Sequence, residues 1–462
     1  MSKTAKVALV NPPPMKGVFH HHPYLPIGLA YLAAVLEEKG NEVLVLDCLA
    51  SNIDHEQLKQ KLAEFNPNLI GISSMTPMVP STMLAAKISK EACPNATVVL
   101  GGPHATFMDK EILQEQPSVD VIVRGEGELT LLELTQKIAN QERLSNIEGL
   151  TYRKDGQIQQ NTTRPYIQNL DELPFPAYKH FPLDKYRLFG KLFFPVITSR
   201  GCPFQCSFCT TSRILGKQYR ARTPKNIGDE LELLKNQYHA DSFTFYDDTL
   251  TLDKQRIFAI CDEIKNRKID IPWDCQTRVD QISEEILSKM KQTNCQQVFF
   301  GAESGCQDVL NWVKKRTTVA QNEAAIKMAK KAGLFVAISV IIGYPGETAE
   351  MRKETIDFLR RAEPDDVYIC IATPYPGTDL RVLVEQMGLK MSSDWEKYDT
   401  TTPVFDNPLL PDAEALRIRK QFYDGFYSPK YALKHLFRQN FYSRVMARVA
   451  LNHLIWRIKG RF

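Results

Sequence analysis

From Lys6 onward, short apolar, β-branched runs alternate with longer stretches in which apolar residues recur every three or four positions. "KVALVNPP", "EVLVLDC", "NLIGISS", "TVVLGGP" and "VDVIVRG" have the length and branching of strands buried on both faces. "GLAYLAAVLEEKG", "DHEQLKQKLAEF", "STMLAAKISKEA" and "LTLLELTQKIAN" carry helical periodicity between or after them. Strand and helix in strict alternation predict an α/β domain over residues 1–143, a five-stranded, flavodoxin-like (Rossmann-type) parallel sheet with helices on both faces. Residues 144–191, including "DELPFPAYKHFPLDKY", are rich in proline and aromatics and lack a clean period. They are expected to form an ordered connector draped over a neighbour.

A second alternation covers residues 192–385, with "FFPVITS", "SFTFYDD", "IPWDCQT", "QVFFGAE", "FVAISVIIG" and "DVYICIATP" as strands. Helical patterns such as "PKNIGDELELLKNQY" and "ETAEMRKETIDFLRRA" separate them. Six consecutive βα units predict a partial (β/α)6 barrel of the TIM type, with chemistry at the C-terminal ends of its strands. Residues 386–462 read as a mainly helical C-terminal region.

Composition narrows the class. The 462 residues are 43% hydrophobic and 24% charged, the balance of a folded protein with material for more than one core. Lys and Arg exceed Asp and Glu by only 58 to 54, which gives no reason to expect nucleic acid as a partner. The N-terminus "MSKTAKVALVNPPP" reads as a first strand rather than a secretory segment, and "LFVAISVII" is about half the length of a bilayer-spanning helix. The expected location is the cytoplasm. Cys48, Cys93, Cys261, Cys275, Cys295, Cys306 and Cys370 show no paired spacing and are expected as buried thiols.

The remaining three cysteines, Cys202, Cys206 and Cys209 in "CPFQCSFC", directly follow the first barrel strand. A structural zinc ion wants four ligands, and no fourth Cys or His stands nearby at finger spacing. A [4Fe-4S] cluster with three protein ligands accounts for the missing one, because it leaves one iron open to an external ligand. Pro203, Phe204, Ser207 and Phe208 between the thiols suit a loop that restricts water.

The C-x3-C-x2-C spacing resembles the radical SAM superfamily. In that family S-adenosyl-L-methionine chelates the open iron through its amino and carboxylate groups and is cleaved to a 5'-deoxyadenosyl radical. The resemblance implies SAM-binding positions at successive strand ends. Phe208 lies within the cysteine loop, and Asp247 and Asp248 of "FYDDTLT" would meet the methionine amino group. Arg278 of "CQTRVD" is a candidate for the carboxylate, and Glu303 and Ser304 of "FGAESG" for the ribose. Gly343 of "IIGYPGE" and Tyr375 of "TPYPGT" would lie on the adenine side, with Gly346 and Gly377 permitting close backbone approach. Taken one at a time, Asp247 and Asp248 also suit a cap for the helix beginning near Asp253, Glu303 an isolated surface acid, and Arg278 a surface ion pair.

"NPPPMKG" after the first strand lacks the glycine pattern of a dinucleotide site. The first domain instead resembles that of the cobalamin-binding radical SAM proteins, a class that includes methylases and the anaerobic magnesium-protoporphyrin ester cyclase. The resemblance covers roughly the first 385 residues. It implies cobalamin-binding positions at Asn11 and Pro12 of "VNPP", Ser73, Ser74 and Thr76 of "GISSMT", Gly101, Gly102 and His104 of "GGPHAT", and Glu126 of "RGEGE". The DxHxxG motif that supplies a lower axial histidine in many cobalamin proteins is absent. His104 and the run His20, His21, His22 are expected as exposed polar loop residues rather than metal ligands.

What the resemblance implies is a cobalamin-dependent radical SAM enzyme acting at an unactivated carbon of a hydrophobic small molecule, such as a lipid, isoprenoid or tetrapyrrole. C-methylation is favoured and oxidative cyclisation is the alternative; a non-catalytic iron–sulfur sensor is the alternative of another class. A methylthiotransferase would need a second cluster from three N-terminal cysteines, and only Cys48 and Cys93 precede the barrel. An electron donor such as flavodoxin or ferredoxin is an implied partner. No side chain is assigned a catalytic role. From Lys430 to Phe462 there are eight Lys or Arg and no Asp or Glu, with Leu436, Phe437, Phe441, Val445, Met446 and Trp456 interleaved. This basic amphipathic segment suits either a peripheral contact with the inner membrane surface or a helical lid with a solvated basic face.

Overall fold

A computed structural model of the chain describes residues 4–14, 24–438 and 440–458. The triple histidine His20–His22 lies outside the described residues, as does the Trp456 side chain. The chain forms two compact units: Met1–Leu192 with Thr210–Arg222 and Asp394–Glu396, and Phe193–Cys209 with Thr223–Ser393 and Lys397–Phe462.

In the first unit, β1 (Lys6–Asn11), β2 (Glu42–Asp47), β3 (Leu69–Ser73), β4 (Thr97–Gly101) and β5 (Val121–Val123) pair in parallel in the order β2-β1-β3-β4-β5. That is the flavodoxin-like order. The central residues of β1 are buried without interruption, as a strand covered on both faces requires. Helices His55–Phe65 and Val79–Ala92 pack together, and so do Ile27–Glu38 and Glu128–Asn140. Asp54 and Gln57 form a capping box that starts the first of these; such a cap contributes about 1 kcal/mol.

The sheet is wider than the strand pattern predicts. β6 (Leu150–Lys154) and β7 (Gln157–Gln160), both within the expected connector, add to the edge of β5 as an antiparallel hairpin. β7 is almost wholly solvent-facing and polar, so it has no apolar alternation to read. The rest of the connector is tied down by short turns: Ala177 N–H donates to Ala30 O at 3.0 Å, His180 meets Glu37 at 2.8 Å and the Tyr186 hydroxyl donates to Asp47 at 2.5 Å.

In the second unit six parallel strands follow one another in chain order: Lys191–Val196, Ser242–Phe245, Trp273–Thr277, Cys295–Glu303, Phe335–Ile342 and Asp366–Ile371. The short strand Arg187–Leu188 lies antiparallel beside the first of them. The first and sixth strands do not pair, which leaves a partial barrel. Helices start on side-chain caps from Thr223, Asp253, Ser283, Thr318, Thr348 and Thr378. Asp253 caps its own helix, so neither Asp247 nor Asp248 is needed there.

Residue alternation divides the strands between two faces. Phe194 meets Tyr238 beside an outer helix, whereas Phe193 meets Phe441 and Tyr442 of the last helix. Phe299, Phe335 and Ala337 share one core with Tyr431, Ala432, Met446 and Ala450. Helices Pro429–Leu436 and Phe441–Ile458 therefore fill the face opposite the outer helices, which a closed barrel would fill with its own side chains. Tyr442 also donates a hydrogen bond to Asp274 there. Much of the expected amphipathic stripe is consumed by this packing, but Leu433, Leu436 and Phe437 remain exposed. No helix among the described residues is long and apolar enough to cross a membrane.

Candidate active site

The loop carrying Cys202, Cys206 and Cys209 leaves the first barrel strand, and all three thiols are free and half-buried. Its backbone is held from two helix ends: Ser207 N–H donates to the O of Val313, which caps the C-terminus of helix Gln307–Trp312, at 3.0 Å, and Leu380 N–H in the first turn of helix Asp379–Gln386 donates to Ser207 O at 2.9 Å. No three His, Cys, Asp or Glu among the described residues are gathered as ligands of a single metal ion. A donor set of three thiols suits a cube better than a structural zinc ion, because zinc wants a fourth protein ligand while each thiolate of a cube binds a different iron. Burial pushes the Cys202 thiol up to about 11, with Asp248 adding to the rise. Burial also raises Cys206, where Lys315 and Arg278 pull in the opposite direction. The two cations thus face the sulfur whose anionic form a cluster requires.

Arg278 is buried and fully engaged. It grips Asp280 through two bonds of 2.9 and 3.0 Å, donates to Lys315 O at 2.7 Å, and lies 3.9 Å from Cys206 Sγ. Its guanidinium stacks 3.6 Å from the centroid of Phe204. The arginine therefore clamps the cysteine loop as well as placing charge beside it.

The two aspartates separate. Asp247 is wholly buried and accepts from Thr198 N (3.3 Å), Thr198 Oγ1 (2.7 Å) and the Ser199 hydroxyl, locking the first strand end to the second. Arg256 completes that knot by donating to Thr198 O at 2.7 Å. Asp248 is exposed on the side of Cys202.

Glu303, at φ +63°, accepts from Lys315 Nζ at 2.8 Å, and both are buried. A Cβ at Gly301 would fall 2.3 Å from Glu303 Oε1, so glycine makes the room for this pair. Ser304 is turned away into the Thr355 hydroxyl at 2.9 Å and caps Cys306 N–H at 3.0 Å, which gives it a turn-shaping position. Phe208 packs against Tyr344 with centroids 6.4 Å apart. Gly343, at φ +84°, donates to Glu347 and accepts from Asn407 at 2.9 Å. Tyr375 is half-buried, and its hydroxyl donates to Tyr398 O at 2.7 Å.

Two polar atoms at the end of the fifth strand are buried without a hydrogen-bond partner, the Tyr344 hydroxyl and Glu347 Oε1. Burial pushes the Glu347 carboxyl up to about 7. Orphaned groups of this kind fit a polar ligand at the site, and the open space around a Cβ at Gly346 fits its close approach.

In the first unit the strand order reverses at β1, where doubly wound sheets bind ligands beyond their C-terminal strand ends. Asn11, Pro12, Ser73, Ser74, Gly101 and Gly102 all stand at such ends. Ser74 Oγ is buried and unpartnered. Gly102 has φ +102°, and a Cβ there would press 3.0 Å from Ser74 O. The orphan hydroxyl and the cradle beside it fit a large polar cofactor. His104 is buried within the short helix Pro103–Phe107 and is not the exposed loop residue expected; Thr76 meets its Nδ1 at 3.3 Å, and its ring lies edge-on to Trp395 at 4.8 Å. Asn11 is turned to Asp47 at 2.9 Å. Glu126 is spoken for: it accepts from Arg220 at 2.9 and 3.0 Å and from Ile167 N–H at 2.8 Å.

The motif reading missed Lys315, Glu347, Tyr344 and the Glu126–Arg220 pair. Lys315 sits in the run Lys314, Lys315, Arg316, in which only the middle side chain is buried. Positive φ at Lys314 (55°) and Arg316 (59°) turns the chain so that it points inward. A cationic triplet in a sequence carries no sign of that.

Comparison with known proteins agrees with this geometry. A B12 binding domain model matches residues 21–135 and a radical SAM superfamily model matches residues 196–359. An uncharacterized methyltransferase of Pyrococcus horikoshii is 37% identical, over 90% of each chain. The anaerobic magnesium-protoporphyrin IX monomethyl ester cyclase of Rubrivivax gelatinosus is 30% identical, over 90% of this chain and 76% of its own. Among solved structures, the radical S-adenosylmethionine methyltransferase TsrM of Kitasatospora setae, with cobalamin and a [4Fe-4S] cluster bound, shares the fold with a TM-score of 0.78 at 18% identity, over 97% of this chain and 100% of its own. With both cofactor-domain models matched in order and relatives aligned over most of their length, the chain belongs to the B12-binding radical SAM proteins and is a radical SAM enzyme that uses a [4Fe-4S] cluster, S-adenosyl-L-methionine and cobalamin.

Proposed function

We propose that this enzyme transfers a methyl group to an unactivated carbon of a hydrophobic small molecule, a lipid or isoprenoid or a tetrapyrrole. The observation that carries this reading is the similarity over 90% of both chains to a protein described as a methyltransferase. When bound, the three cofactors supply an electron, a hydrogen-abstracting radical and a carried methyl group. The chain's own residues bind, orient and exclude water. Cys202, Cys206 and Cys209 hold the cluster, with Arg278 and Lys315 offsetting its negative charge. Asp248 accepts from the methionine amino group, and Glu303, held by Lys315, accepts from ribose hydroxyls. Phe208, Tyr344 and Tyr375 wall the site against water, which would quench a radical. Ser74, Gly101 and Gly102 receive the corrin edge or its tail.

The similarity to the cyclase favours a second reading, oxidative ring closure on a tetrapyrrole. Exposed apolar side chains and unopposed cations on the C-terminal helices support a peripheral contact with an anionic membrane surface from the cytoplasmic side, where a flavodoxin or ferredoxin would deliver electrons. Anaerobic reconstitution with and without cobalamin, followed by mass spectrometry on porphyrin and isoprenoid substrates, separates the readings. Methylation yields 5'-deoxyadenosine and S-adenosylhomocysteine together; cyclisation yields the first alone. Formation of neither would leave the sensor reading.

A further inference from the structure

Away from the cysteine loop, a groove of about 820 Å³ opens between helices Ala349–Ala362, Asp412–Phe426 and Pro429–Leu436. That volume lies within the roughly 300–1,000 Å³ typical of ligand pockets. Ile356, Leu359, Ile418, Phe422 and Phe426 give it an apolar lining, the two rings stacked at 5.4 Å. Gly425 lines it too, in the last turn of its helix, where glycine is less favourable than alanine. Neither backbone nor packing asks for that glycine. Its φ is not left-handed, and a Cβ would meet nothing within 4 Å. What its missing side chain preserves is the open groove.

The charges around the groove are unequal. Lys353 and Arg360 are paired with Asp357, Arg352 is spent on the carbonyls of Glu347 and Leu409, and Glu414 is paired with Arg417. Glu363 is the other carboxylate at the rim. Lys430 and Lys434, one helical turn apart, have no ion pair among the described residues. On the same short helix and just beyond it, Leu433, Leu436 and Phe437 are exposed, Phe437 to 78%. A soluble ligand would cover the groove and leave those side chains in water; a bilayer covers both.

We propose that this groove takes up one acyl chain of an anionic bilayer lipid, with the headgroup held by Lys430 and Lys434. The inference rests on the membrane contact read above and adds a specific lipid seat to it. Co-sedimentation of the full-length protein with phosphatidylcholine vesicles, pure or mixed with phosphatidylglycerol, tests it. Wild-type protein is expected to favour the mixed vesicles by about tenfold or more, and K430E/K434E to lose that preference. Gly425→Leu, which fills the groove and suits a helix, is expected to cut binding about fivefold or more with an unchanged or raised melting midpoint. Undiminished vesicle binding by G425L overturns the lipid seat while leaving membrane contact in place. Absence of wild-type binding to mixed vesicles overturns both. If G425L blocks only a spin-labelled free fatty acid added in solution, the occupant is a soluble amphiphile and the bilayer assignment falls.

Discussion

Lys315 Nζ lies 2.8 Å from Glu303 Oε1 with both side chains buried, and the same lysine faces Cys206. One cation therefore serves two anionic centres. Removing it as Lys315→Met strands a buried carboxylate and is expected to cost about 3–5 kcal/mol in a denaturant midpoint. Adding Glu303→Gln should recover most of that loss. A double variant as unstable as the single one would show that the pair is not coupled.

Glu303→Gln by itself keeps a hydrogen-bonding side chain but removes the charge proposed to accept from the ribose. S-adenosyl-L-methionine binding by equilibrium dialysis is expected to weaken by about tenfold, as for a lost charge-assisted hydrogen bond, with iron content unchanged. Unaltered affinity would reassign Glu303 to holding Lys315 alone.

The three thiols and the β-strand ends of the first unit are proposed to serve separate cofactors. Replacing Cys202, Cys206 and Cys209 by alanine is expected to abolish bound iron and labile sulfide while cobalamin binding, read from its visible spectrum, persists. Gly102→Val should do the reverse, because a Cβ at φ +102° is strained and meets Ser74 O at 3.0 Å. Iron retained by the triple variant would remove the basis of the cluster assignment.

Asp274 gives the barrel a pH dependence. Burial pushes its carboxyl up to about 6, opposed by hydrogen bonds from Tyr442 and Thr244. Between about pH 4 and pH 6 the folded chain keeps a proton that the unfolded chain has released, so this group's contribution falls as pH rises through that window and is flat above it. Asp274→Asn lacks the titration. The difference between wild-type and variant unfolding free energies should slope downward from pH 4 to 6, and a pH-independent difference would mean that the group titrates normally.

Periodicity and spacing sufficed for the strand order's raw material and for the cluster. A parallel strand buried on both faces must be a continuous apolar run, and three thiols at close spacing have few uses, so both are written locally. Strand β7 left no such trace because an edge strand facing water needs no apolar alternation, and β6 has only the short buried stretch Leu150–Tyr152 to show. Which member of a motif points inward was also beyond the sequence. Asp247 and Asp248 are neighbours in "FYDD", yet one is knotted to Thr198 and Ser199 and the other is exposed beside Cys202. Only the register of two adjacent strand ends separates them. The same holds for Lys315 against Lys314 and Arg316, and for Glu126, whose partner Arg220 lies far along the chain. Residue types and spacings determined what chemistry the chain could hold. Long-range packing, by setting which side chains are desolvated and which find a partner, decided where that chemistry sits.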